Sequence, residues 1–141
     1  MHQYDQFIHK ELSSQLDHDE KIECTGFLFN KSLGKIIALG PLSLIGDGYF
    51  FAALTHQHLF LISTEMGVFS LKTINKGLAR ISYGEIKSIK TSGFLNQQAI
   101  TLEMTDGKVF TLRLNSLASH YASGQKQFIQ SLVDFHRQAK A

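Results

Sequence analysis

Two neighbouring segments, residues 48–55 and 58–64, are apolar on both faces, and this feature limits the folds open to the chain. Successive side chains of a β-strand point to opposite faces of the sheet, and a sheet that faces water on one side shows polar residues there. Both faces of these strands must therefore be covered. The alternating sets are Tyr49, Phe51 and Ala53 against Phe50, Ala52 and Leu54, followed by His58, Phe60 and Ile62 against Leu59 and Leu61.

An N-terminal helix is the economical candidate for the outer cover. Apolar residues recur at three- and four-residue spacing over residues 3–16, which predicts an amphipathic helix. They are Tyr4, Phe7, Ile8, Leu12 and Leu16. We expect Phe7, Ile8 and Leu12 to reach the sheet. The apolar segment 31–46 and a second subunit are the alternative covers.

The rest of the sequence predicts short strands followed by a helix. Strands are predicted at 21–29, 48–55, 58–64, 67–74, 78–83, 86–92, 98–104 and 108–114. Asp106-Gly107 between the last two predicts a hairpin turn with positive φ at both central positions. Ile100, Leu102, Met104, Phe110, Leu112 and Leu114 should face the core, and Thr101, Glu103, Thr111 and Arg113 should face outward.

The last segment predicts a helix at residues 119–138, whose apolar stripe holds Tyr121, Phe128, Leu132 and Phe135, widened by Ile129 and Val133. Short connections make consecutive strands antiparallel. We therefore expect a mainly β fold, a β-barrel of about seven antiparallel strands at 20–114 with flanking helices, the C-terminal one capping it. Residues 1–141 would form a single domain.

Charge and cysteine content exclude several classes of protein. The net charge of +2 is too small to indicate nucleic-acid binding. Residues 1–30 hold six acids and two lysines, whereas residues 31–90 hold seven basic residues and three acids. The two regions either lie together or form separate solvated surfaces. One cysteine, Cys24, allows neither an intrachain disulfide nor a cysteine-based zinc site.

Localisation follows from two absent sequence signals. The N-terminus lacks the basic start and apolar run of a signal peptide. The apolar run at 36–46 is too short to span a bilayer as a helix. We expect a cytoplasmic protein.

The histidines are candidate ligands that lack a recognisable pattern. His56 and His58 lie two apart in Thr55-His56-Gln57-His58, with Asp47 and Glu65 as the nearest acids in sequence. Catalytic zinc takes three protein ligands and an open position, so we interpret the pair as turn residues. Cys24 shows no base beside it in sequence and is interpreted as a structural thiol. We expect no catalytic residue, metal or cofactor, and hence no enzyme.

Three segments in order resemble bacterial pleckstrin-homology-like (PH-like) and GRAM-type domains. ALTHQHLFLIS (53–63) resembles their ALTxxRLxxI hairpin, ISYGEIKSIKTSGF (81–94) their IPYxxIxSI segment, and ITLEMTDGKVFTLRL (100–114) their last hairpin. The resemblance covers roughly residues 20–137 and leaves the N-terminal helix outside. It implies two nearly orthogonal antiparallel sheets, a capping helix and a non-enzymatic binding module. His58 stands where the family usually has a basic residue.

The segment between the first two strands is the candidate contact surface. It contains Lys31 and Lys35 with the apolar residues Ile36, Ile37, Leu39, Leu42, Leu44 and Ile45. Large apolar surfaces are usually covered, so the segment folds back, pairs with a second copy of the chain or binds a protein partner. The alternative is a peripheral membrane contact at the inner face, with anionic phospholipids attracting Lys31 and Lys35, joined by Lys72, Lys76, Lys87 and Lys90.

Overall fold

The computed structural model describes residues 3–30, 48–66, 71–94, 97–115 and 122–140. Helix α1 (Gln3–Leu12) precedes seven strands, and helix α2 (Phe128–Lys140) follows them. The strands are β1 (Cys24–Asn30), β2 (Gly48–Leu54), β3 (His58–Met66), β4 (Leu71–Ser82), β5 (Ile86–Phe94), β6 (Gln97–Met104) and β7 (Val109–Asn115). A 3₁₀ turn at Tyr83–Glu85 joins β4 to β5. The predicted mainly β fold with a helix before and after the strands is confirmed.

All seven strands belong to one antiparallel sheet in the order β4-β3-β2-β1-β7-β6-β5. β1 pairs with β2 from Cys24–Leu54 to Asn30–Gly48. Among the described residues, β1 pairs with β7 at Phe29–Arg113 alone. The family resemblance implied two sheets, whereas the structure has one sheet that continues through this bridge, with β4 and β5 at its two edges.

The inner faces of both halves of the sheet share one core. Side chains from β2 and β3 meet side chains from β6, β7 and α2, and all are almost fully buried. Phe128 of α2 lies over β1 at Gly26, where an added Cβ would be 2.5 Å from the ring. The predicted faces of β6 and β7 are confirmed. The core includes Phe50, Ala52, Leu54, Leu59, Leu61, Ile100, Leu102, Met104, Phe110, Leu112, Leu114, Phe128 and Leu132.

Helix α1 covers the outer face of β1–β3. Ile8 and Leu12 are fully buried, and they form a second apolar cluster with strand residues of opposite parity to the core set. Tyr4 stacks on Phe51 with ring centroids 5.4 Å apart. The predicted cover by the N-terminal helix is confirmed. The strand members of this outer cluster are Phe27, Phe51, Ala53, Phe60 and Ile62.

Helix α1 is shorter than the predicted 3–16 for a local reason. It ends at Leu12, and the Ser13 hydroxyl donates to the Lys10 carbonyl (3.0 Å). Serine side chains compete with the helical backbone in this way. The chain continues in a turn closed by the bond from Gln15 N–H to Leu12 O (2.9 Å), which leaves Leu16 packed on the outer cluster.

Two predicted strands, 67–74 and 78–83, contribute to one strand, β4. The pairing of β3 with β4 shifts between Ser63–Gly77 and Glu65–Lys72, so a bulge takes up the extra residues and the strand continues through them. The predicted β6–β7 hairpin is present, but its turn differs. Gly107 N–H donates to Met104 O (3.0 Å), and the positive φ of 93° falls on Gly107, after the two central residues.

Helix α2 begins later than the predicted residue 119. Residues 123–127 form turns, in which Gly124 lies against β1. An added Cβ at Gly124 would be 2.5 Å from the Thr25 carbonyl oxygen and 2.6 Å from Cys24 Sγ. The Gln125 side chain then accepts from Phe27 N–H (2.7 Å) and donates to Phe27 O (2.9 Å). These close contacts favour a turn that follows the strand.

Candidate functional site

The four residues Thr55-His56-Gln57-His58 form the turn between β2 and β3, as predicted. Thr55 N–H donates to His58 O (3.0 Å). The Thr55 hydroxyl oxygen accepts from the backbone N–H groups of Gln57 (3.0 Å) and His58 (2.9 Å). A threonine side chain that satisfies the backbone of a tight turn in this way fixes the turn's geometry.

Glu20 brings a buried carboxylate to this turn. The residue is 8% exposed and receives donors on both oxygens. Asp17 N–H donates to Oε1 (3.0 Å), and His58 Nδ1 lies 2.7 Å from Oε2. The Thr55 hydroxyl also donates to Oε2. Burial by itself raises the pKa of Glu20, but the bonds from Thr55, Asp17 and His58 outweigh burial and hold that pKa below its usual value.

Arg80 of β4 completes the contacts of the His58 ring. Arg80 Nε lies 3.2 Å from His58 Nε2, and its Nη2 lies 3.1 Å from Asp17 Oδ1. Because a guanidinium can only donate, Nε2 must be the unprotonated nitrogen. The imidazole proton is therefore on Nδ1, where it is donated to Glu20. Both ring nitrogens of His58 are occupied.

Tyr83 contacts the backbone of the same turn. Its hydroxyl donates to Thr55 O (2.7 Å) and lies 3.1 Å from His58 O. The ring is 1% exposed, and burial together with the charge of Glu20 raises the pKa of Tyr83. The six residues Asp17, Glu20, Thr55, His58, Arg80 and Tyr83 are called the Glu20 cluster below.

The Glu20 cluster offers three potential metal ligands that already bind one another. Ligand atoms of Asp17, Glu20 and His58 lie within 4.8 Å of each other. The guanidinium of Arg80 occupies the place of a cation beside Asp17 and His58, and it would repel a metal ion there. Glu20 is bonded to Thr55 and His58. These contacts favour a structural role for the cluster, joining the chain after α1 to β2, β3 and β4.

His56 contacts different residues from His58. It is exposed, its Nε2 lies 3.5 Å from Glu23 Oε1, and its ring centroid is 4.5 Å from that of Phe135 on α2. The two predicted turn histidines therefore point to separate parts of the molecule. His56 connects the turn to α2, and His58 connects it to the Glu20 cluster.

A cleft lies where α1, the start of β1 and the turn before α2 meet. Its volume is about 610 Å³. Below it is called the Asp5 cleft, after the buried carboxylate on its α1 wall. Its lining residues are Asp5, His9, Ile22, Glu23, Cys24, Thr25, Ser123, Gly124, Gln127 and Ser131.

Cys24 in this cleft has the surroundings of a structural thiol. It is 9% exposed, and its Sγ lies 3.4 Å from the Gly124 carbonyl oxygen. Burial raises the pKa of the Cys24 thiol, and the nearby charge of Asp5 adds to that direction. A reactive cysteine needs a lowered pKa, so this environment disfavours the thiolate.

The predicted contact residues Lys31, Lys35, Ile36, Ile37, Leu39, Leu42 and Leu44 lie outside the described residues. Lys72 and Lys76 belong to β4, at one edge of the sheet. Lys87 and Lys90 belong to β5, the other edge, and both are exposed there.

Sequence reasoning missed the acids that meet the histidines. It considered Asp47 and Glu65 because they are nearest along the chain, whereas Glu20 and Glu23 are the acids in contact. No spacing motif connects residues 17–23 to the turn at 55–58. The sequence predicted a helix up to residue 16 and assigned no contact to the polar residues after it, and Arg80 lies on a neighbouring strand.

Two solved structures are similar to the chain in fold. The crystal structure of the C-terminal domain of an unknown protein from Leishmania infantum has a TM-score of 0.57 at 14% identity, covering 94% of this chain and 96% of that one. The hSac2 domain from the human phosphoinositide phosphatase Sac2 has a TM-score of 0.56 at 15% identity, covering 97% of this chain and 82% of that one.

The comparisons by sequence add no family. No family model matches the chain, and no curated protein matches it. In the described part of the chain, no helix has both the length and the apolar content to cross a membrane. Identities this low show the fold alone, and the seven-stranded antiparallel sheet with its two helices is consistent with a PH-like fold.

Proposed function

We propose that this chain is a PH-like binding module without chemistry of its own. The observation that carries the proposal is the occupation of the catalytic-type side chains. Both ring nitrogens of His58 are engaged, by Glu20 and by Arg80. A serine-protease-like triad requires the nucleophile on the ring nitrogen opposite the acid, and that position belongs here to a guanidinium. Thr55 donates to Glu20 instead of to His58.

The binding surface we propose is the segment 31–46, and its first occupant is a second copy of the chain. The support is its composition, since its seven leucine and isoleucine side chains would be costly in water. Helix α1 already covers the outer face of β1–β3, so that face supplies no argument for a second subunit. The proposal of self-association therefore rests on the composition of the segment 31–46 alone.

An anionic membrane surface is the second candidate for the same segment. Lys31 and Lys35 precede the apolar run at 36–46, and in such an arrangement lysines attract head groups while apolar side chains insert. The similar hSac2 domain comes from a protein named as a phosphoinositide phosphatase. In this form the protein would be cytoplasmic and peripheral at the inner membrane face, and in neither form would it bind nucleic acid.

Light scattering with and without vesicles separates the two candidates. The mass of the full chain is measured alone, and its co-sedimentation is measured with vesicles of phosphatidylcholine or of phosphatidylcholine with phosphatidylserine. If the chain self-associates, it should be a discrete oligomer that sediments with neither kind of vesicle. The double variant Leu39→Ser, Leu42→Ser should be a monomer. The exposed Val109→Ser on β7 is the apolar control.

Membrane binding predicts a different pattern. The chain would sediment with the anionic vesicles only, and salt would release it because screening weakens the lysine contacts. The pair Lys31→Glu, Lys35→Glu would abolish sedimentation, whereas Lys87→Glu, Lys90→Glu on β5 would leave it unchanged. A monomer that ignores both vesicles would contradict both candidates.

A further inference from the structure

Asp5 in the Asp5 cleft has a buried carboxylate, and one of its oxygens lacks a hydrogen-bond donor among the described residues. The residue is 4% exposed. Its Oδ1 accepts from the Thr25 hydroxyl (2.8 Å) and is 3.4 Å from Ser123 N–H. Its Oδ2 accepts no hydrogen bond from the residues that the structure describes. Buried carboxylate oxygens normally have donors, because leaving one without a donor is costly. A donor from outside the chain would remove that cost.

The charge of the cleft indicates what kind of donor fits. Asp5 and Glu23 are the acidic residues of the lining, with Glu23 Oε1 also 3.5 Å from His56 Nε2, and none of the described lining residues is lysine or arginine. The lining also offers acceptors in the hydroxyls of Ser123 and Ser131 and the side-chain amide of Gln127. Two acidic residues, with hydroxyl and amide acceptors and the imidazole of His9 around them, favour a positively charged ligand with several N–H groups.

The spacing of the cleft's side chains favours an organic cation over a metal ion. In the described part of the chain, one group of three acidic, histidine or cysteine ligand atoms lies within 4.8 Å, and it belongs to the Glu20 cluster. Asp5, His9, Glu23 and Cys24 do not converge in that way. A volume of about 610 Å³ is in the range of small-molecule sites and far larger than one ion requires.

We propose that the Asp5 cleft binds an organic cation, with the ligand's ammonium or guanidinium group donating to Asp5 Oδ2 and a second donor reaching Glu23. The ligand is either a free diamine or polyamine, or a lysine or arginine side chain of a partner protein, since both present the same group. This site uses described residues only and does not depend on the segment 31–46 or on self-association.

Calorimetric titration of the full chain tests the site. The probes are putrescine, agmatine and an arginine-rich peptide, with 1,4-butanediol as the uncharged match for putrescine. We expect saturable binding of at least one cation below about 10 mM and none of butanediol. Tighter binding of the free amines identifies a small-molecule site, and tighter binding of the peptide identifies a side-chain pocket.

Three variants locate the binding. Asp5→Asn keeps the shape and the Thr25 bond but removes the charge, and we expect binding to weaken roughly 10- to 100-fold. Glu23→Gln should weaken it less, because Glu23 is more exposed. Ser123→Lys places an ammonium at the exposed rim and should abolish binding even if Asp5→Asn fails to fold. Glu103→Gln on β6 is the remote carboxylate control.

Two results would overturn the proposal. One is the absence of saturable binding for every cation. The other is that Glu23→Gln and Ser123→Lys bind the cation as tightly as the control Glu103→Gln does. Either result is independent of the light-scattering outcome, which reports on the segment 31–46.

Discussion

Glu20 shows how one side chain can hold a turn that lies 35 residues away in sequence. Its carboxylate accepts from the backbone of Asp17, from the Thr55 hydroxyl and from His58. All three bonds stabilise the ionised form, which is why the pKa of Glu20 is lowered despite its burial. The stability that this residue contributes must therefore depend on pH.

Glu20→Gln should reveal that dependence. A lowered folded-state pKa gives stability that is present above the unfolded pKa and is lost as the pH falls through the folded pKa. At neutral pH we expect the variant to lose roughly 1.5–3 kcal/mol of stability, the range for hydrogen bonds to a charged group. Below the usual carboxyl pKa of 4.5 the gap to the wild type should narrow.

Urea denaturation at a series of pH values between neutral and about pH 3 measures that gap. Asp19→Asn is the matched control, because Asp19 lies next to Glu20 and its side chain is 93% exposed. A gap of constant size across this pH range would contradict the assignment of Glu20 as an ionised, hydrogen-bonded residue.

The contacts between residues of the Glu20 cluster could not have been predicted from sequence. The role of Thr55 and His58 in a turn was predictable because a polar group interrupts two apolar runs. Their partners were not, because Glu20 reaches them through the packing of the chain after α1, and Arg80 through the pairing of β3 with β4. Both depend on tertiary structure that no local spacing encodes.

Among the elements, the strands were the most predictable. Alternation fixes which side chains face the core, and the Asp106-Gly107 hairpin and the apolar β2–β3 pair carry strong local signals. The ends of the elements were less predictable. Ser13 helps to end α1 at Leu12, a bulge joins two predicted strands into β4, and Gly124 delays the start of α2 because it packs closely against β1.

Gly124→Ala should separate the turn before α2 from β1. The added methyl would meet the backbone of Thr25, which cannot move without disturbing the sheet, so we expect a loss of about 1–3 kcal/mol. Gly84→Ala is the control, since nothing lies within 4 Å of its added Cβ, and its stability should stay within about 0.5 kcal/mol of the wild type.

Amide exchange locates the effect of Gly124→Ala. The N–H of Phe27 is held by the Gln125 side chain, directly after Gly124. Its protection should fall in Gly124→Ala and persist in Gly84→Ala. Equal protection and equal stability in the two variants would show that the turn tolerates the methyl group.

At the scale of the whole molecule, two apolar clusters lie on opposite faces of one sheet. The sequence predicted that both faces of β2 and β3 are buried and that α1 covers one of them. Apolar residues on both faces of a strand require packing partners on both sides. The sequence left open whether the acidic N-terminal region meets the basic middle. The contact of Asp17 with Arg80 is one such meeting, and with side chains 52% and 39% exposed it stabilises the fold little.

The outer cover should determine whether the protein stays dispersed. Replacing the two fully buried α1 residues, Ile8→Ala with Leu12→Ala, removes packing worth about 2–5 kcal/mol at each site. We expect the outer face of β1–β3 to become accessible and the chain to associate through it. Light scattering and binding of an apolar dye measure this.

The control for that variant is Gln6→Ala, at an exposed position of the same helix. It should match the wild type in both measurements. A double variant that loses stability but neither associates nor binds dye would mean that α1 contributes packing energy without shielding the sheet.

The position of α1 ahead of the strands it covers has a consequence for synthesis on the ribosome. The buried residues of the outer cluster all lie at or before Ile62 in the sequence, whereas the inner core includes Leu132 of α2. The ribosome therefore completes the outer cluster first. Chains grow from the N-terminus, so the shield for the outer face of β1–β3 precedes those strands out of the exit tunnel. The nascent chain thus carries a cover for one apolar face long before the other face can be closed.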